Sequence, residues 1–276
     1  MAFYLKNIPT EQLFSLVSLI FVLLAIYINS VEPLSFNYNK LTLGNSGVIL
    51  QGDAHILESG YLALTNSTPL PPDTYLPTTG RALYPTPLTL WNDTTGQVAS
   101  FSTSFSFIVQ SQEGGGATDG LIFFIAPQNT VIPENSDSLY LGVVDGKNAI
   151  NQFVGLEFDL YPNSFDPNMR HIGIDVNSLI SLKTREWNWV SGSLTTVSIT
   201  YNSPSNKLSA RVRSETGELS SIEQVVDLKT VLPNIVRIGF SATSITAVAH
   251  NIHEWAVHEW SFGSDLGTTT SNVSNI

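Results

Sequence analysis

The stretch 154–178, VGLEFDLYPNSFDPNMRHIGIDVNS, decides how this chain is read. If its first part is a strand, Glu157 and Asp159 project to one side, because side chains alternate with a period of two. Leu156, Phe158 and Leu160 then face the other way, into a core. A loop punctuated by Pro162 and Pro167 follows, carrying Asn163 and Asp166, and His171 opens the next apolar run. Two carboxylates on one face, then an amide, a third carboxylate and an imidazole, make the donor set of a polyvalent cation site. A hard ion such as Ca²⁺ takes oxygens from carboxylates, amides and main-chain carbonyls. The imidazole adds the nitrogen that a transition ion prefers. One Asp can bridge two ions, so a neighbouring pair is chemically reasonable. The competing reading is an acidic strand and loop on a chain that is acidic throughout.

Outside this stretch the apolar pattern is that of strands. Apolar and polar residues alternate in FSTSFSF (101–107), LTTVSITY (194–201) and LSARVR (208–213). Turn residues separate the runs at 202–206 (NSPSN), at 214–217 (SETG) and in the Pro-rich stretch 69–77. Beyond the N-terminal segment no long 3.6-residue period is present, which predicts short helices or none. The fold class is therefore all-β, two packed antiparallel sheets in one domain.

The N-terminal segment carries Lys6 and then an uncharged apolar run from Leu13 to Ile28. That run is short of the ~20 residues of a spanning helix and suits the apolar region of a signal peptide. Residues 1–30 are predicted to be that signal, with cleavage after Ser30; an uncleaved anchor is the alternative. Residues 31–263 would be the folded domain, and the polar tail 264–276 a flexible or trimmed end. No second apolar stretch predicts membrane insertion. The chain has no cysteine, so a disulfide scaffold is excluded and stability must come from a core. A secretory route makes Asn66, Asn92 and Asn272 credible N-glycosylation acceptors, since each opens an Asn-x-Ser/Thr pattern. The net charge of −11 argues against nucleic acid as a partner.

The order E-x-D-x-Y-x-N-x-x-D-x-x-x-x-H followed by IGIDVNS closely resembles the metal-binding signature of the legume lectins. Segments 34–38 (LSFNY), 50–54 (LQGDA), 80–84 (GRALY), 102–107 (STSFSF) and 236–242 (VRIGFSA) resemble family segments in family order. The resemblance implies a concanavalin-like jelly-roll sandwich and a non-catalytic carbohydrate-binding protein. It implies Mn²⁺ held by Glu157, Asp159, Asp166 and His171. It implies Ca²⁺ held by Asp159, Asn163, Asp166 and the main-chain carbonyl of Tyr161, with Ser181 on a metal-bound water. By the same resemblance Asp119 and Asn163 hydrogen-bond a sugar, and the peptide between Thr118 and Asp119 is cis. The ring of Tyr161 stacks on the sugar, and the backbone N–H of Leu139 contributes at the rim. Family membership further implies glycoconjugate partners, a homodimer or homotetramer, and an extracellular or protein-storage-vacuole location with a part in plant defence.

Two places depart from the family pattern. Leu139, in SDSLYLGV (136–143), replaces the usual Gly or Arg and crowds the pocket. The loop taken as 241–255 lacks the usual Gly, and His-Glu-Trp occurs twice, at 253–255 and 258–260. Sugar preference is thus left open. One alternative is a storage or defence protein of the same fold with a weakened sugar site. Another is a glycoside hydrolase using Glu157 and Asp159 as its carboxylate pair. His253 and His258 superficially suggest a zinc helix, but five-residue spacing does not put two side chains on one helical face.

Overall fold

The computed structural model describes residues 10–28, 33–39, 47–66, 75–110, 119–146, 151–247 and 254–266. The chain divides into two units, Met1–Pro33 and Leu34–Ile276. In the first, Thr10–Ile28 is an α-helix, as an uninterrupted Leu- and Ile-rich run without Pro or Gly allows. No helix among the described residues is long and apolar enough to cross a membrane. The expected cleavage after Ser30 and most of the tail lie outside the described residues.

The second unit is the antiparallel sandwich expected from the alternating runs. One eight-stranded sheet runs in the order Leu219–Val225, Lys207–Ser214, Leu194–Asn202, Ser100–Gln110, Glu254–Asp265, Leu62–Ala63 and His55–Ile56, with Ser35–Tyr38 also on Glu254–Asp265. The other runs Lys183–Glu186, His171–Val176, Val154–Asp159, Gly120–Pro127, Ile235–Ala247, Tyr75–Leu83 and Ile49–Gly52, with Leu88–Thr89 also on Ile235–Ala247. Phe105, Phe107, Val197 and Ile199 from the first sheet meet Phe123, Leu156, Phe158 and Phe240 from the second in one core. Helix is short among the described residues of this unit: Leu228–Val231 and two 3₁₀ turns.

The Gly120–Pro127 strand, GLIFFIAP, does not alternate because both of its faces are covered. Leu121, Phe123 and Ile125 enter the central core. Ile122, Phe124 and Ala126 enter a second, smaller core with Leu141, Val143, Phe153 and Leu179, which lies on the outer side of the sheet. Glu157 stands opposite Ile122 in the register, so the acidic face of its strand adjoins this second core.

Two sequence readings change. The Pro-rich stretch 69–77 is not all turn: a strand begins at Tyr75, with Pro77 opposite Ile245. The neighbouring Ile49–Gly52 strand pairs only with Gly80–Leu83, so Pro77 sits where a missing N–H removes no second ladder bond. The supposed loop 241–255 is strand up to Ala247, paired with Tyr75–Arg81; residues 248–253, His253 included, lie outside the described residues. The repeated His-Glu-Trp belongs partly to the strand Glu254–Asp265, which carries a register shift between Val257 and Glu259. Trp255 and Trp260 are five apart and would face opposite sides of a regular strand. The one-residue bulge restores parity, pairing them with Val109 and Phe105, and both indoles are buried. His258, at the bulge, stacks on Tyr61 with ring centroids 3.7 Å apart.

Candidate metal centre and sugar site

The antiparallel pairing of Val154–Asp159 with His171–Val176 sets Asp159 opposite His171 and Glu157 opposite Gly173. Donor atoms of Glu157, Asp159 and His171 therefore lie within 4.8 Å of one another, and all three residues are buried. His171 Nε2 is 2.9 Å from Glu157 Oε1. Gly173 is what lets Glu157 fold over its neighbour strand: a Cβ there would collide with Ser181 Oγ and the Glu157 carboxylate. The Ser181 hydroxyl lies 2.5 Å from Glu157 Oε1 and 2.7 Å from Asp175 Oδ1. Complete burial, and then the charge of Glu157, raise the Asp175 carboxyl well above its usual pKa.

The loop that follows folds back on the same cluster. Tyr161 N–H donates to Asp159 Oδ1 at 2.6 Å, and Asn163 N–H donates to Asp166 Oδ2 at 2.7 Å. Burial and then the charge of Glu157 push the Asp159 carboxyl up to about 8. Asp166 is raised by burial too, against the bond from Asn163 that lowers it. Burial acts to lower the His171 pKa, but the hydrogen bond and charge of Glu157, with Asp159 and Asp166, take it above its usual value. Four acidic groups confined around one imidazole fit a cation: a bound ion supplies the positive charge that protons otherwise supply.

Asp119 adjoins this centre. Its carbonyl accepts from Leu160 N–H at 3.1 Å, in the peptide directly after Asp159. Its side chain is buried, with Oδ1 3.5 Å from Ser138 Oγ and Oδ2 without a partner among the described residues. Burial pushes its pKa to about 6. Its φ is 40°, the left-handed region that non-glycine residues seldom occupy. The expected cis bond before it begins at Thr118, outside the described residues. Leu139 is half-buried in the 3₁₀ turn Ser138–Tyr140. Tyr161 is 52 % exposed, and Asn163 and Ser181 are half-buried.

Sequence reasoning missed the residues that hold these groups in place. Thr243 Oγ1 donates to Ser138 O and Ser241 Oγ to Leu141 O, each at 2.6 Å. Both hydroxyls are fully buried on a strand that had been read as a loop. Hydroxyl-bearing residues at alternate positions, Ser241 and Thr243, were the available signal. Asp175 and Gly173 also passed unnoticed, although both lie in the quoted stretch.

Known proteins share this fold. The legume lectin domain matches residues 33–275. The chain belongs to the legume lectin family. A nodule lectin of Pisum sativum is 60% identical over 276 residues, covering 100% of both chains. Among solved structures, peanut lectin with a nine-residue peptide superposes with TM-score 0.79 at 43% identity, covering 87% of this chain and 100% of that one. Lectin UEA-II complexed with galactose gives TM-score 0.77 at 38% identity, covering 84% and 98%. As a legume lectin the chain has a jelly-roll sandwich with the acidic cluster and Asp119 side by side on its second sheet, the juxtaposition on which a ligand reading rests.

Proposed function

We propose that this legume lectin binds carbohydrate without catalysis, at a site organised by Ca²⁺ and Mn²⁺. The observation that carries the reading is the bond from Leu160 N–H to Asp119 O at 3.1 Å. It ties a carboxylate suited to sugar hydroxyls to the peptide next to a metal-ligating Asp. Glu157, Asp159, Asp166 and His171 would hold Mn²⁺; Asp159, Asn163, Asp166 and Tyr161 O would hold Ca²⁺, with Ser181 on a bound water. The ions would neutralise the cluster and fix the 160–166 loop. Asp119 would accept from two sugar hydroxyls, the charge-assisted kind of bond. Asn163 would donate to a third, Tyr161 would stack its exposed ring on the sugar, and Leu139 would shape the rim. Galactose in the UEA-II complex makes a galactoside the first ligand to try. Glu157 and Asp159 lie on one strand face rather than on opposite sides of a cleft, which supports binding over hydrolysis.

Residues 1–30 would be removed as a signal and the lectin domain of 31–263 delivered outside the cell or to a storage vacuole, with the 264–276 tail flexible or trimmed. On that secretory route it would be glycosylated at Asn66, Asn92 or Asn272. Asn92 caps a turn with its carbonyl oxygen, accepting from Thr94 N–H and Thr95 N–H, which leaves its amide nitrogen to take a glycan. Assembly into dimers or tetramers would multiply weak single-site affinity. A glycan array probed with Ca²⁺ and Mn²⁺, then after EDTA, tests the reading. Metal-dependent signal on one sugar class supports it. Silence with metal bound favours the storage or defence reading, for which the half-buried Leu139 beside Ser138 is the motivating feature.

A further inference from the structure

Arg81 is a buried charge without a counter-ion among the described residues. It lies on the strand Tyr75–Leu83, opposite Gln51, and is 2 % exposed. Its guanidinium rests over the Phe124 ring at 4.4 Å, on the side of the second core. Nη1 donates to Thr130 Oγ1 at 3.2 Å, and Nε has no partner among the described residues. No described carboxylate forms an ion pair with it. Burial takes its pKa down to about 9, so it is still protonated at neutral pH. An isolated buried cation is strongly unfavourable unless something compensates it.

The guanidinium lines a pocket of about 320 Å³. Val131, Val143 and Phe153 form apolar walls, and Thr130 and Asn151 add polar groups. Asn151 Nδ2 is a second buried donor without a partner among the described residues. The pocket sits at the lower end of the ~300–1,000 Å³ range of ligand sites, a size for a small molecule and not for an oligosaccharide. Arginine's planar fork matches a carboxylate in bidentate fashion. One positive charge balances a monoanion, whereas a phosphate dianion would leave an uncompensated negative charge among apolar walls. The walls favour a ligand with an apolar body over a bare inorganic anion.

We propose that the pocket beside Arg81 is a second ligand site, separate from the metal centre and the sugar site, that takes a small organic monocarboxylate. Its carboxylate meets the Arg81 guanidinium and the Asn151 amide, and its apolar body lies along Val143 and Phe153. The test is calorimetric titration of the intact protein, with Ca²⁺ and Mn²⁺ present, using benzoate as the probe and benzamide and acetate as comparisons. Benzoate should bind saturably at one site. Benzamide, which lacks the charge, and acetate, which lacks the apolar body, should each bind about tenfold more weakly or worse. Arg81→Met should lose benzoate binding while keeping cation binding. Val143→Phe, which leaves Arg81 in place and fills the pocket, should lose it too, and decides the matter should Arg81→Met fail to fold. Absence of benzoate binding into the millimolar range, equal binding of benzamide, or full affinity in Val143→Phe would each overturn the proposal.

Discussion

Removing the metal ions should make stability fall as pH rises, and the size of that fall follows from the carboxylate cluster. Asp159 is raised from 3.8 to about 8 by burial and by Glu157. A group with a raised folded pKa contributes stability that is full below its unfolded pKa and is lost as pH climbs to the folded one. Between pH 5 and pH 7, at ~1.4 kcal/mol per unit, that one group withdraws roughly 3 kcal/mol from the ion-free protein. For a domain of this size ~1 kcal/mol moves the midpoint by about 2–4 °C, so the drop should be about 6–12 °C. Asp119, Asp166, Asp175 and His171 are raised as well and act in the same direction. His258 is lowered, mainly by burial, and acts oppositely; it lies away from the cluster and contributes equally with and without metal.

With Ca²⁺ and Mn²⁺ bound, the same carboxylates are ligands and the ions compete with protons. The metal-loaded midpoint should therefore be flat or rising over this interval, and the gap between loaded and EDTA-treated protein should widen with pH. Differential scanning calorimetry at pH 5, 6 and 7, with and without chelator, measures it. A gap that stays constant, or a chelated midpoint that does not fall, would refute the assignment of Asp159 and its neighbours as a cluster that needs a cation.

Four substitutions probe the remaining parts. Asp119→Ala should weaken sugar binding by about a hundredfold or more, as two charge-assisted bonds of ~1.5–3 kcal/mol each disappear, without lowering the melting midpoint; retained affinity would remove Asp119 from the site. Gly173→Ala should weaken cation binding by about 10–100-fold, read by metal titration, because the new Cβ displaces Glu157; unchanged affinity would mean Glu157 is not a ligand. Deleting His258 removes the bulge and turns one indole outward, a loss of about 4–6 kcal/mol for ~150–250 Å² at ~25 cal/mol/Å², whereas His258→Ala should cost only ~0.5–1.5 kcal/mol; urea unfolding with equal midpoints for the two variants would contradict the parity argument. Thr243→Val removes one of two donors to Ser138 O, leaving Leu141 N–H at 3.2 Å, and should cut sugar affinity by up to about tenfold, at ~0.5–1.5 kcal/mol for one hydrogen bond, with the chelation-sensitive midpoint unchanged; loss of the metal response instead would show that the rim turn and the metal loop are not separable.

The candidate cation donors were legible because they are local. Glu157, Asp159 and His171 fall within a strand, loop and strand whose periods can be read directly, and antiparallel pairing then forces the last two opposite each other. Leu156, Phe158 and Leu160 likewise enter the core on the side the alternation assigns them. What was illegible depends on contacts distant in sequence. Ser241 and Thr243 reach Leu141 and Ser138 about a hundred positions away, and no local pattern marks a hydroxyl as the support of a remote turn. The segment 241–247 reads as part of a family loop; in the fold it is strand, Ser241, Ala242, Thr243 and Ser244 are buried, and Ser241 and Ala242 are paired on both sides. The bulge at 257–259 was hidden for a related reason. A duplicated triplet fixes the spacing of two Trp residues, but only the pairing with Val109 and Phe105 shows that five positions must occupy the room of four.

The peptide from Asp159 to Tyr161 explains why ions and sugar should be coupled at all. Asp159 lends its side chain to the cation cluster, its Oδ1 orders Tyr161 N–H, and between them Leu160 N–H reaches Asp119 O. Asp119 pays for its position twice, with a left-handed backbone and with a buried carboxylate whose pKa has risen to about 6. Neither strain is relieved by packing, since Oδ2 has no partner among the described residues. A site strained in this way persists only when its surroundings over-determine it. In the proposed function a bound ion would supply that constraint by neutralising the cluster and fixing the 160–166 loop. Cation binding would thus stabilise the one backbone arrangement in which Asp119 presents an acceptor, and sugar binding would in turn raise cation affinity by the same factor.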